Sequence, residues 1–535
     1  MEDFKGMAEQ HRNSAITIKY KLLLVFLALI GIVLVLVSTS RYGVGLEGNA
    51  MFYISTARSL LADTGVATFD FNGSPLVEMP PLYPTLLGAI GCVLGLDPLV
   101  SARIAGALLF GMMIYLSGMT AFRYIGSLPF ALYAAALVLL STPLIYVSVM
   151  ALSEPLFICL TLLFLCLVKS FLEKADWVSL LLCSASAALA SLTRYLGITL
   201  ILSGILVIIF LTRSDRRTRV YQLLLFTFVS AMPLGLWTLR NYTLSGTPFG
   251  PRYPSIFSFF DNVTLVLRGI FAWLIPIRIL FPDEFIFRLI FKMVVIVITL
   301  AFGVFIAYLF RFTKKEDWLR LRADNTLWAG PLTVFLVVYT IVLLVSATAT
   351  AEDKISSRFL SPLYVPVIIL ILSLVYQLTK RTARNALIAR VALSLMFPLV
   401  FVTTMTIFYL THGAGGYSSV LWQESETIRY LRSHALPGKD RIITTNPFAL
   451  YFLINIKSSL VPQRTADNSP KIVHELKGLK GTWPEQSQAY LIWFGDERRV
   501  PVSSFTLDEL KTIADIRQYQ RFSDGAIYTV SRIEK

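Results

Sequence analysis

Long apolar runs constrain this chain more than any other feature of its sequence. Runs of apolar residues long enough to form membrane-spanning helices recur from residue 22 onward, and 56% of the 535 residues are hydrophobic whereas only 15% are charged. A helix of about 20 apolar residues crosses the hydrocarbon core of a bilayer, and such runs are foreign to soluble domains. The sequence therefore predicts a polytopic α-helical membrane protein.

The basic loops predict which side of the membrane each loop faces. Lys and Arg cluster near the N-terminus and at 213–219, 311–322 and 380–390, and short basic loops stay in the cytoplasm. This clustering explains the net charge of +15 without a nucleic-acid partner. The apolar stretch 81–96 would reach only about 24 Å as a helix. We therefore place it in the membrane interface.

Eleven spans follow, with a cytoplasmic N-terminus and an extracytoplasmic C-terminus. They lie near residues 22–39, 101–121, 128–149, 153–171, 177–193, 195–212, 220–239, 286–310, 327–348, 359–378 and 389–411. We predict a membrane domain over residues 1–411, with outer loops at 40–100 and 240–285, in a bacterial or archaeal cell membrane. Alternating runs at 441–445, 489–494 and 526–531 predict strands of a small extracytoplasmic α/β domain over 412–535.

Acidic and basic side chains collect on the predicted outer side. They are Glu47, Glu78, Glu154, Asp353, Arg194, Arg240, Arg252, Lys354 and Arg358. Cations placed against the positive-inside bias indicate an anionic partner, either a lipid headgroup or a phosphate. Simpler interpretations exist for single residues: a solvated loop acid for Glu47, a helix N-terminal carboxylate for Glu154 and an interfacial anchor for Arg194. Asp353 is the expected counter-ion of Lys354 and Arg358.

The order of several motifs resembles that of the GT-C glycosyltransferases, which include protein O-mannosyltransferases and lipid A aminoarabinose transferases. The first outer loop carries Glu47, Tyr53, Ala57-Arg58 and EMPPLYP (78–84), with a surface helix predicted over 49–63. Four motifs follow: LSEPLF (152–157), LTRYLGI (192–198), WTLRNYTLSGTPFGPR (237–252) and DKISSRFLSPLYVP (353–366). The resemblance covers residues 20–380 and does not extend to the C-terminal domain.

This resemblance implies transfer of a sugar, with inversion, from a polyprenyl-phosphate donor to a lipid, glycan or protein acceptor on the outer face. It implies a carboxylate of the first outer loop as the base; our candidate is Glu47, with Glu78 and Glu154 as alternatives. The donor phosphate is assigned to Arg194, Arg240, Arg252, Lys354 and Arg358, and supporting roles to Asn49, Tyr53, Asn241, Tyr242 and Asp353. Membrane lipids are further partners, no cofactor is assigned, and a divalent metal stays open.

One position departs from the pattern of this family. Its members usually carry an acid one helical turn before the tyrosine equivalent to Tyr53, where this chain has Asn49. A carboxamide cannot accept a proton as a general base, so Glu47 is the candidate replacement. A non-catalytic glycolipid-binding or assembly protein is therefore an alternative. A lipid or solute transporter is less favoured, because the charges lie at span ends rather than within spans.

Overall fold

The structure is a computed structural model. It describes residues 2–67, 74–252, 254–274, 330–350, 354–379, 399, 402–434, 436, 442–466, 469–473, 476–479, 481–484, 488–495 and 504–533. The predicted span 286–310, part of the span 389–411, the basic loops at 311–322 and 380–390, and Asp353 lie outside these residues.

Helices form the first part of the chain. They are α1 (Glu2–Ser38), α2 (Asn49–Leu61), α3 (Leu82–Leu94), α4 (Pro98–Ile125), α5 (Leu128–Leu139), α6 (Thr142–Val149), α7 (Glu154–Lys174), α8 (Trp177–Thr193), α9 (Ile198–Leu211), α10 (Arg216–Ser245), α11 (Phe259–Leu274), α12 (Gly330–Ala349), α13 (Ser357–Thr379) and α14 (402–412). A 3-10 turn at Tyr195–Gly197 joins α8 to α9.

Six of these helices are long and apolar enough to cross a membrane: α1 from residue 18 onward, α4, α7, α10, α12 and α13. Helices α5 and α6 pass the same test as a pair bent by 52°. Helix α3 has only 13 residues, which is too short to cross. The multi-pass helical architecture is confirmed, whereas the count of eleven spans stays a prediction.

Small residues let α1 and α4 pack closely. A Cβ atom added at Gly111 would lie 2.7 Å from Ile32 Cγ1, and one added at Gly118 would lie 2.4 Å from Leu24 Cδ2. The Tyr20 hydroxyl donates a hydrogen bond to the Gly118 carbonyl at 2.9 Å. Close backbone approach at glycine is a common way for membrane helices to associate, because it adds van der Waals contact where lipid competes with packing.

The C-terminal part contains a five-stranded sheet in the order β2-β1-β5-β7-β6. Strand β1 is parallel to β2 and β5, whereas β5–β7 and β6–β7 are antiparallel. Strands β1, β5 and β7 coincide with the three alternating runs of the sequence. The strands are β1 (Ile442–Thr444), β2 (Ser459–Leu460), β3 (Thr465–Ala466), β4 (Ser469–Val473), β5 (Gln488–Phe494), β6 (Ala514–Phe522) and β7 (Gly525–Arg532), with β3 and β4 in a separate pair.

Four short helices accompany the sheet: α15 (Val420–Gln423), α16 (Glu426–Ser433), α17 (Pro447–Ile454) and α18 (Leu507–Leu510). Helices α16 and α17 pack on one sheet face, where Ile442, Ile492 and Ile527 are buried. Helix α18 packs on the opposite face, with Leu491 and Val530. Each face therefore has its own hydrophobic core, as the alternation of side chains along a strand requires.

Helix α17 joins the sheet to the segment between α1 and α3, residues 39–81, which we call the first loop. The Phe448 ring lies 5.8 Å from the Phe52 ring of α2. The Arg58 guanidinium lies 5.2 Å from the Tyr451 ring centre and binds both carboxylate oxygens of Asp97, at 2.9 and 3.1 Å. Aromatic and cation–π contacts of this kind fix α17 against α2.

Candidate functional site

Three chain segments pair through their backbones beside the N-terminus of α2. Gly45 donates to Val149 O at 2.9 Å, and Ala151 donates to Gly45 O at 3.0 Å. On the other side, Leu46 donates to Gly415 O at 3.2 Å and accepts from Tyr417 N at 3.1 Å. We call residues 45–46, 149–151 and 415–417 the three-segment ladder. It sets the positions of Glu47 and of Ser153-Glu154, which follow it directly in the sequence.

The ladder depends on a glycine in its third segment. Gly416 has φ +58°, and a Cβ atom added there would lie 1.8 Å from the Leu46 carbonyl oxygen. No side chain fits in that space, and the left-handed backbone also favours glycine. Residues 412–417 therefore tie the sheet to the first loop by direct backbone contact.

Glu154 is the buried acid of the site. It is the first residue of α7, precedes Pro155 and is only 1% exposed. Its Oε1 lies 2.6 Å from Arg194 Nη1 and 2.5 Å from Arg358 Nε. Arg194 sits where α8 ends in an extended residue, and Arg358 is the second residue of α13. A buried carboxylate is stable only when paired in this way.

Two guanidinium groups contact the same oxygen of this one carboxylate. Both arginine side chains are largely buried, at 9% and 12% exposure. Glu154 Oε2 accepts no hydrogen bond from any described residue and is also buried. Buried charges are normally balanced by partners. Two guanidinium groups held this close together are suited to receiving an anion.

Tyr53 extends the group toward the first loop. Its hydroxyl lies 3.0 Å from Ser153 Oγ, which also accepts from Arg194 Nη1 at 3.1 Å. Burial raises the pKa of Tyr53, and the nearby Arg194 offsets part of that shift. The hydroxyl is thus neutral at physiological pH. The Tyr83 ring meets the Tyr53 ring edge to face at 5.1 Å, which fixes α3 against α2.

Glu47 differs from Glu154 because it is exposed. A Cβ atom added at Gly415 would lie 3.8 Å from Glu47 Oε2, and one added at Gly48 would lie 3.7 Å from Arg358 Nη1. The segment that follows the ladder therefore runs past Arg358. Asn49, at the start of α2, is half-buried. An accessible carboxylate thus stands beside the buried arginines.

A second group of side chains holds the first loop at residues 76–78. The three consecutive carbonyls there accept hydrogen bonds from Arg240 Nη1 at 2.7 Å, Asn241 Nδ2 at 3.1 Å and Arg252 Nη2 at 3.1 Å. Arg240 and Arg252 thus bind protein backbone in the structure. Glu78 contributes its carbonyl to this group, and its side chain is exposed.

Tyr195 and Trp237 complete the second group, although the sequence did not single out either residue. Tyr195 donates to Val77 O at 2.9 Å and accepts from Trp237 Nε1 at 3.3 Å. The Arg240 guanidinium lies 4.4 Å from the Trp237 ring centre. Both aromatic residues lie inside motifs of the sequence, LTRYLGI and WTLRN. Their place in these motifs is the sequence signal that could have identified them as site residues. Because Tyr195 follows Arg194 in the chain, the group around residues 76–78 is a neighbour of the group around Glu154.

The structure therefore brings Glu47, Glu154, Tyr53, Arg194 and Arg358 together, and separately Glu78, Arg240, Asn241 and Arg252. The side chains of Lys354 and Tyr242 make no hydrogen bond or ion pair with another described residue, and both are exposed. Within the described part of the chain, no three His, Cys, Asp or Glu side chains are grouped as metal ligands.

No protein-family model and no curated protein sequence matches this chain. Solved structures do match it. ArnT from Cupriavidus metallidurans in the apo state superposes with a TM-score of 0.60 at 13% identity, over 94% of this chain and 97% of ArnT. ArnT bound to undecaprenyl phosphate gives 0.57 at 16%, over 96% and 98%.

A third match is the oligosaccharyltransferase AglB from Archaeoglobus fulgidus, in complex with an inhibitory peptide and a dolichol-phosphate. Its TM-score is 0.53 at 13% identity, over 96% of this chain and 74% of AglB. These matches extend over the membrane helices and the C-terminal sheet alike. The chain therefore has the fold of the GT-C glycosyltransferases, as the order of its motifs predicts.

Proposed function

We propose that this chain is a membrane glycosyltransferase that moves a sugar from a polyprenyl-phosphate donor to a lipid, glycan or protein acceptor on the extracytoplasmic face. Two structures of similar fold support the donor class: ArnT bound to undecaprenyl phosphate and AglB with a dolichol-phosphate. The observation that carries the proposal is the pairing of buried Glu154 with both Arg194 and Arg358.

The donor phosphate binds beside the two guanidinium groups that contact Glu154. Arg358 is the main ligand, because its Nη1 points toward Gly48 and so toward the accessible side of the group. Guanidinium groups bind phosphate oxygens through paired, charge-assisted hydrogen bonds. Glu154 holds both arginines in position and is not itself the base.

Glu47 removes the proton from the acceptor hydroxyl. The hydroxyl oxygen then attacks the anomeric carbon, the bond from that carbon to the phosphate oxygen breaks, and polyprenyl phosphate leaves with the electron pair. Arg358 stabilises the charge that develops on the leaving oxygen. A single displacement inverts the anomeric centre. The exposure of Glu47, which its role as a base toward an incoming acceptor requires, favours it over Glu154.

Arg240 and Arg252 also hold the first loop in place. Their bonds to the carbonyls of residues 76–78 hold that loop beside Tyr195 and Arg194. They keep their predicted role as ligands of the donor phosphate, with exposed Lys354 as a further cation. Glu78 remains an alternative base, because its exposed carboxylate belongs to the same segment.

Transfer from radiolabelled polyprenyl-phosphate sugars to native membrane extract tests this function. Wild type should form labelled product, and Glu47→Gln should lose nearly all of it while still binding donor. Asp63→Asn is the matched control, because Asp63 is an exposed acid of the same loop and its φ of +54° suits asparagine. Full transfer by Glu47→Gln would contradict the assignment of the base.

Asn49 favours one other function, that of a non-catalytic glycolipid-binding protein. The carboxamide stands half-buried at the start of α2, where the family carries an acid. In that case wild type binds the lipid-linked sugars tightly but forms no product with any of them. The same experiment therefore separates the two functions, because binding and transfer are measured on the same protein.

A further inference from the structure

The sheet carries a tyrosine-rich surface that takes no part in the chemistry above. We propose that this surface, formed by Tyr430, His434, Tyr490, Arg517 and Tyr519, binds an uncharged oligosaccharide of the acceptor. We call these five residues the tyrosine surface. The inference rests on the proposed function in one respect, because it takes the acceptor to be a glycan.

Strand pairing places three of the residues on one sheet face. Tyr490 of β5 and Arg517 of β6 both pair with Thr529 of β7, so the three side chains stand in a row. Tyr519 lies at a register shift between Gln518 and Gln520. A β-bulge re-aims the side chain of its extra residue. The Tyr519 ring accordingly meets the Tyr490 ring edge to face at 6.0 Å.

Helix α16 supplies the other two residues. The Tyr430 ring stacks on the His434 ring at 4.3 Å with an angle of 10°, and it contacts Phe522 at 5.0 Å. Burial and the neighbouring Tyr519 raise the pKa of Tyr430, so its hydroxyl remains a hydrogen-bond donor at neutral pH. These contacts hold the rings in place before any ligand arrives, which reduces the entropy lost on binding.

Exposure indicates a polar ligand rather than a hydrocarbon. Tyr519 is 50% exposed, and within the described strands β5, β6 and β7 it is the only large hydrophobic side chain that is exposed. Tyrosine combines an electron-rich ring face with a hydroxyl, whereas a lipid-facing surface consists of aliphatic side chains. The C–H groups of a pyranose pack on such ring faces while its hydroxyls reach Gln520 and Thr529.

Charge indicates that the ligand is neutral. Arg517 Nη2 binds Asp515 Oδ2 at 2.8 Å, so this pair presents no excess charge. Glu426, one turn before Tyr430, accepts hydrogen bonds from the backbone and hydroxyl of Ser523 at 3.1 and 2.7 Å. A ligand held by charge would need a cation of this surface that lacks a counter-ion, and Arg517, the arginine among the five residues, is paired with Asp515.

The surface shares its sheet face with α17. Tyr490 stands two residues before Ile492 on β5, and Ile492 is buried beneath α16 and α17. Helix α17 in turn contacts Phe52 and Arg58 of α2. A glycan on this face therefore extends from the side of the sheet that docks on the first loop, which also carries Glu47.

Binding of neutral tetrasaccharides to the purified full-length chain tests the inference. Mannotetraose, maltotetraose and chitotetraose are titrated against wild type, Tyr519→Ala, Tyr430→Ala and Tyr221→Ala. At least one probe should bind wild type, and each surface variant should weaken it about tenfold. Tyr221, which is 52% exposed on α10, serves as the matched control and should bind like wild type.

Three results would overturn the inference: no tetrasaccharide binds wild type, Tyr519→Ala binds as well as wild type, or an oligogalacturonate displaces the bound neutral probe. Release of labelled sugar from the polyprenyl-phosphate donor by wild type is measured in parallel. Failure of that release contradicts the proposed function and leaves the tetrasaccharide titration unaffected. Failure of the titration alone contradicts only the tyrosine surface.

Discussion

Arg358 Nε lies 2.5 Å from Glu154 Oε1, although 204 residues separate the two in the chain. Arg194 Nη1 lies 2.6 Å from the same oxygen. The contact ties the start of α13 to the start of α7 and the end of α8. The proposed donor site depends on this pairing, because Glu154 holds both guanidinium groups in place.

Removing the charge of Glu154 should destabilise the fold. Glu154→Gln keeps the shape of the side chain but removes the negative charge that contacts two buried guanidinium groups, so the free energy of unfolding should fall by about 3–5 kcal/mol. Thermal unfolding of the purified protein measures this. Glu173→Gln is the control, because Glu173 is 55% exposed and 3.4 Å from Lys169, and its loss should cost about 0–1 kcal/mol. Equal losses of stability in both variants would contradict the prediction.

A side chain at Gly416 should break the three-segment ladder. Gly416→Ala places a Cβ atom 1.8 Å from the Leu46 carbonyl oxygen, so the backbone must move and sugar transfer should fall sharply. Gly43→Ala also adds a Cβ at positive φ, +77°, but into open space, and should cost only about 1–2 kcal/mol. Transfer rates and unfolding of the two variants are compared. Equal transfer rates would show that the ladder does not position Glu47.

Loss of Arg58 should loosen the docking of α17 on α2. Arg58→Ala removes the ion pair with Asp97 and the contact with the Tyr451 ring, which together contribute about 1–3 kcal/mol. Hydrogen exchange of residues 447–454 should quicken. Arg41→Ala removes an exposed contact with Tyr42 and should leave that exchange unchanged. Unchanged hydrogen exchange of residues 447–454 in Arg58→Ala would show that Arg58 does not stabilise the docking of α17 on α2.

The stability of α18 should depend on pH through Glu509. Hydrogen bonds from the backbone and hydroxyl of Thr506, with Arg464 nearby, hold the pKa of Glu509 below its ordinary value. The folded form therefore binds the proton less readily than the unfolded form. The contribution of the Glu509 carboxylate to stability is fully present above the unfolded pKa of about 4.3. It is lost as the pH falls through the lower pKa of the folded form.

Hydrogen exchange of residues 506–513, corrected for intrinsic rates, measures this effect between about pH 6 and about pH 3. Protection should weaken toward the acid end in wild type. In Glu509→Gln the protection should be weaker throughout and nearly independent of pH. The same pH profile in both proteins would show that Glu509 does not stabilise α18.

The helices could be predicted from the sequence because their signals are local. Apolar length and the residues that interrupt it predicted a helix over 49–63, where α2 covers Asn49–Leu61. They also placed Glu154 at the start of a span, where α7 begins. The GT-C fold was predicted differently, from the resemblance of the order of the motifs to that of the GT-C glycosyltransferases.

The contacts within the site could not be predicted in this way. Arg358 pairs with Glu154 across 204 residues, a distance in the chain at which the sequence gives no sign of a contact. The expected pairing of Arg358 with Asp353 lies outside the described residues and stays a prediction. The ladder of residues 45–46, 149–151 and 415–417 consists of backbone hydrogen bonds, which leave little trace in residue types. Only the positive φ of Gly416 has a sequence signal, and glycines such as Gly413, Gly415 and Gly416 have many causes.

Binding of polyprenyl phosphate to wild type and to Arg358→Ala tests the donor site most directly, with the uncharged polyprenol as the reference lipid. If the buried arginines bind the phosphate, wild type prefers the phosphate over the alcohol, and Arg358→Ala weakens phosphate binding by about tenfold or more while polyprenol binding stays the same. Equal affinity for the two lipids in wild type, or unchanged phosphate binding in Arg358→Ala, would contradict the assignment.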